Sequence, residues 1–224
     1  MAFKFLRDEG GDRLEAVETK VLEMLRLDRH EFDLAMSALM GDVEPRGVND
    51  ELRSTDQQVN RLEREIRREL VVHSSVFGGI DTPAVLVYMS VVKDIERVGD
   101  YAKNLLDLAL DGANFATAPD AEEWRRLSQE ISRFMTDAGE VYSSRDPERT
   151  RKLLAEGDRL LDLHDSQVSS LVKTGEGQPQ AVPRALAHRY LKRVVAHLMN
   201  LLSAVIMPVD RIDYFDEDPE DRGR

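Results

Sequence analysis

No cysteine occurs among the 224 residues, which excludes disulfide staples, thiolate metal sites and a cysteine nucleophile together. Aromatic residues make up only 6%, so a core drawn from 42% hydrophobic content must be mainly aliphatic. No apolar run approaches the roughly 20 residues of a membrane span. The opening MAFKFLRDEGGD is too short and too charged for a secretory signal. Positive charge is also in deficit: 43 acidic against 31 basic residues give a net charge of −12, which opposes nucleic acid or an anionic membrane as a partner. These absences describe a soluble protein of a reducing cytoplasm with no membrane insertion.

What is present is helical periodicity. Apolar residues recur at three-and-four spacing nearly everywhere, and alternating runs joined by paired turn signals are missing. The pattern predicts an all-α chain of six long helices, at about 12–39, 50–77, 82–111, 119–142, 147–173 and 182–206. GDVEPRGVND is read as the stop after the first helix, with Asn49 or Asp50 capping the second. Three helices, a break and three more give two tandem three-helix bundles. The expected layout is an extension over 1–11, a first bundle over 12–112, a second, degenerate bundle over 113–211, and an acidic tail over 212–224.

The two halves align at an offset of 96 residues. The clearest match is DIERVGDYAKN (94–104) with YLKRVVAHLMN (190–200), and the third helix as a whole carries a seam of Ala84, Tyr88, Val91, Ile95, Val98, Ala102, Leu105 and Ala109. The sixth carries Ala187, Leu191, Val194, Leu198, Leu201 and Val205 in the same register. Arg97 matches Arg193 and Asn104 matches Asn200, while Glu96 and Asp100 become Lys192 and Ala196. At about 100° per residue, Glu96, Asp100 and Asn104 form a stripe opposite the seam. Carboxylates at i and i+4 can converge on a hard cation. Equally, the stripe can be a solvated face neutralised by Lys93 and Lys103.

The stretch DIERVGDYAKN resembles the signature of the PhoU family, with Asp94, Glu96, Arg97, Val98, Gly99, Asp100, Ala102 and Asn104 at its positions. The resemblance implies two three-helix repeats and a cytoplasmic regulator of phosphate homeostasis. Such a regulator is a negative modulator of phosphate uptake, with a phosphate ABC transporter ATPase or a sensor histidine kinase as partner, and a homodimer. It also implies iron, zinc or another divalent cation held by Glu/Asp-x-x-x-Asp motifs: here Glu96 and Asp100, with Asp56 and Asn60 on the second helix. Asp158 and Asp162 are a weaker set in the second half, where Lys192 opposes a metal and is expected to pair with one of them. At most one such site, in the first bundle, is expected.

Other classes fare worse. A ferritin-like di-iron bundle needs Glu-x-x-His pairs, and the five histidines have Leu27, Leu70, Leu161, Ala185 and Val194 three residues earlier. A histidine phosphotransfer protein is suggested only by His188 one turn before Lys192, and His73 and His164 read as surface or helix-end residues. No enzyme is expected. A metal-free helical adaptor for another transporter or kinase stays open.

Overall fold

The computed structural model describes residues 11–212; the N-terminal extension and the acidic tail assigned from the sequence lie almost wholly outside the described residues. Six long helices account for most of the chain: α1 (Gly11–Leu39), α2 (Pro45–Phe77), α3 (Thr82–Leu110), α4 (Ala121–Ser144), α5 (Pro147–Thr174) and α6 (Ala181–Ile206). No strand occurs among the described residues, and none of their helices is long and apolar enough to cross a membrane. Every seam position named for α3 and α6 is buried.

The largest boundary difference is at α2, which begins at Pro45 rather than near Asn49. Proline fixes the dihedral of a first helical turn and has no N–H to satisfy there. Glu44 ahead of it accepts the Gly47 N–H at 2.7 Å, a cap that a search for Ser, Thr, Asp or Asn passes over. Gly41, at φ +68°, takes the left-handed turn that ends α1.

Helices α1, α2 and α3 pack together, α6 packs on α5 and α4, and the halves join through α3 against α6 and α1 against α4. One apolar core runs through both halves. Its consequence is clearest in α6, where every residue from Val194 to Val205 is buried because α3, α4 and α5 surround it. The α5–α6 approach depends on Gly157, where an added Cβ would lie 2.6 Å from Met199 Sδ and 2.8 Å from its Cγ. Met199 is fully buried, so Gly157→Ala should cost about 1 kcal/mol net, overpacking outweighing the gain in helix propensity. Thermal denaturation of the variant reads this directly.

Candidate functional site

Alanine at 102 and valine at 98 hold α3 in the core, and the face turned toward α1 and α2 carries the acids. Glu96 and Asp100 are about a quarter exposed, and Arg97 pairs with both, at 3.8 Å and 3.0 Å. Across the groove on α2, Asn60 donates to Asp56 at 3.0 Å. Lys103 spans the gap: its Nζ lies 2.5 Å from Asp56 and 2.9 Å from Asp100. Burial acts to lower the Lys103 pKa, but its hydrogen bonds to Asp56 and Asp100 overcome this and hold it above the ordinary lysine value. The expected set Glu96, Asp100, Asp56 and Asn60 is thus brought together, with an ammonium bridging its two aspartates.

Two acids missed in the sequence lie beneath this face. Asp28 and Glu31 of α1 are completely buried, and none of their four carboxylate oxygens has a hydrogen-bond partner. Gly99 makes room for them: a Cβ there would sit 2.8 Å from Asp28 Oδ1 and 3.3 Å from Glu31 Oε2. Burial, then the charges of Glu31, Glu96 and Asp56, push Asp28 well above the usual carboxylate range. Burial and the Asp56 charge raise Glu31 to about 9. Glu96 is raised in the same way by burial and by Asp100. Glu31 therefore holds its proton at neutral pH, and burial pushes Asp28 the same way.

The donor chemistry, carboxylate and amide oxygen only, is that of a hard cation site. As placed, however, no three His, Asp or Glu side chains among the described residues are arranged to hold a metal ion. These residues fit the Lys103 ammonium and buried protons, so no metal step is derived from them.

In the second half Asp158 and Asp162 lie on α5, one helical turn apart. The expected pairing of Lys192 with one of them is corrected: Lys192 pairs with Asp165, at 2.5 Å, one turn further along α5. The histidines are corrected too. His73 is buried and meets Asp81 at 2.8 Å. His164 and His188 are buried with their Nδ1 atoms 3.0 Å apart, and His188 packs on Trp124. Burial lowers them to about 3 and about 4, followed by the charges of His188 and Lys192 on the first and Arg184 on the second. A core imidazole beneath a tryptophan offers no surface for phosphotransfer.

The PhoU domain family model matches residues 21–109, the half that carries the acidic face. A phosphate-specific transport system accessory protein PhoU homolog of Deinococcus radiodurans is 29% identical over 86% of this chain and 92% of its own. One from Pseudomonas aeruginosa is 26% identical over 89% and 85%. Two solved structures share the fold: PhoU from Pseudomonas aeruginosa, with a TM-score of 0.78 at 23% identity, covers 91% of this chain and 99% of that one. The phosphate transport system regulatory protein PhoU from Streptococcus pneumoniae, at 0.76 and 14%, covers 88% and 95%. With the signature on α3 and its glycine opposite Asp28, the chain carries a PhoU domain over residues 21–109 and is similar to PhoU proteins along nearly its full length.

Proposed function

We propose that this chain is an accessory regulator of a phosphate transport system, acting as a negative modulator through protein contact in the cytoplasm. The observation that carries the reading is the nearly full-length match to curated proteins named as accessory to phosphate-specific transport. The geometry supports a contact protein: the best-matched half is a rigid helical scaffold that places an acidic face, Glu96 and Asp100, at its surface. A phosphate transporter ATPase or a sensor histidine kinase is the partner class, and a homodimer is the form proposed.

A strain lacking the chain should express its phosphate-starvation genes several-fold above the parent in phosphate-rich medium. Reintroduced wild-type protein should restore repression. Unchanged expression in the deletion strain would assign the chain to another transport system, the adaptor reading.

A further inference from the structure

We propose that the outer face of α2 docks the protein on an anionic lipid surface. The buried residues of α2, Leu52, Thr55, Val59, Ile66, Leu70 and His73, turn one side of the helix inward. At about 100° per residue, Arg61, Arg64, Arg68, Val71 and Val72 fall within roughly 100° of arc on the opposite side. All five are exposed, and at about 1.5 Å per residue they form a band about 17 Å long. Val76 and Phe77 continue its apolar end: Val71, Val72, Val76 and Phe77 are 61%, 45%, 63% and 36% exposed.

None of these three arginines has a hydrogen-bond or ion-pair partner among the described residues. The acids beside them are already answered: Glu63 pairs with Arg67 at 2.8 Å, and Lys20 of α1 takes Glu65 at 3.2 Å and Glu69 at 2.5 Å. From Arg61 to Ser75 no acid lies within the band itself. Arg68 and Val72 also border an apolar cavity of about 300 Å³ between α1 and α2, lined with Leu14, Val17 and Arg13, and Arg13 likewise has no partner among the described residues. Unanswered positive charge and exposed aliphatic surface thus meet on one face of a chain whose net charge is −12.

A lipid surface answers both parts, with phosphate headgroups at the level of the arginines and acyl carbon beneath for the valines and the cavity. An acidic protein segment would match Arg61, Arg64 and Arg68 and leave Val71, Val72 and Val76 against polar groups. The total charge opposes an anionic surface, yet at physiological salt a charge is screened beyond about 8 Å. Contact is therefore decided by the α2 face and not by the sum over the chain. For the regulator proposed above, this contact places the chain on the membrane that carries its transporter.

The test is sedimentation of the full-length chain with vesicles of phosphatidylcholine, alone or with about 30% phosphatidylglycerol. Binding to the anionic vesicles should be at least about tenfold stronger than to the neutral ones and should fall as salt is raised to about 0.5 M. Arg61→Gln/Arg64→Gln/Arg68→Gln should weaken it at least about tenfold, and Val72→Ser/Val76→Ser several-fold. All five positions are exposed, so both variants should melt as the wild type does. Arg126→Gln/Arg133→Gln, exposed on α4, should bind as the wild type. No binding at about millimolar lipid, equal binding to the two vesicles, or the same affinity in the α2 and α4 arginine variants would overturn the site. Unchanged binding by the valine variant would overturn the apolar part of the contact. Retention on polyglutamate without retention on vesicles would assign the face to an acidic protein instead. None of these results depends on the expression phenotype of the deletion strain.

Discussion

Replacing Glu31 by glutamine is expected to raise the melting temperature at pH 8 and to leave it nearly unchanged at pH 5. The Glu31 carboxyl has an ordinary value of 4.5 and is raised to about 9 in the folded chain by burial and by the Asp56 charge. Between those values the folded protein holds a proton that the unfolded chain has lost. The stability tied to it is fully present below about pH 4.5 and falls by about 1.4 kcal/mol per pH unit until the folded group ionises. From pH 5 to pH 8 the loss is about 4 kcal/mol, or roughly 10 °C for a chain of this length. Glutamine has no proton to lose and should flatten that slope. Asp28→Asn should act in the same direction, since Asp28 is raised by burial and by Glu31, and the two protons belong to the pair. Melting curves from pH 5 to pH 9 measure the effect. A lower melting temperature for Glu31→Gln at pH 8, reproduced in the wild type by a chelator, would instead show an ionised Glu31 held by a bound cation.

Why Asp28 escaped the sequence reading is physically instructive. The apolar residues of α1 at three-and-four spacing, Leu14, Val21, Leu25, Phe32, Ala35 and Leu39, are all buried. Position 28 completes their four-three alternation, between Leu25 and Phe32, and an aspartate there was passed over as a gap. An acid in register with a seam signals a buried ionisable group, and that signal was available. Glu31 lies off the strict seam. It is buried because α1 touches α2, α3 and α4 together, a breadth of contact that periodicity along one helix does not encode. The six helices were legible because each has an apolar stripe. What one helix does to the far side of another, such as enclosing α6 between Val194 and Val205 or burying His73, His164 and His188, arises only when they assemble.

Lys103→Met is expected to destabilise the chain by about 2–3 kcal/mol and to make its stability responsive to divalent cations. Lys103, Asp56 and Asp100 are 22%, 20% and 28% exposed, so their ion pairs are only partly screened by water. Removing the ammonium leaves Asp56 and Asp100 without that bridge, beside Glu96 and above Asp28 and Glu31. The burden then falls on protonation or on an imported cation. Methionine keeps most of the aliphatic stem, which separates loss of charge from loss of packing. In the variant, millimolar Mn²⁺ or Mg²⁺ should recover part of the lost melting temperature, by about 2.7 kcal/mol where the ion stands at a hundred times its Kd. The wild type should respond much less, because Lys103 already bridges the aspartates. An equal response in both would show that a divalent ion and the ammonium occupy different places on the acidic face. No response in either would leave Asp56, Asp100 and Glu96 as a charged docking surface whose counter-ion is built into the chain.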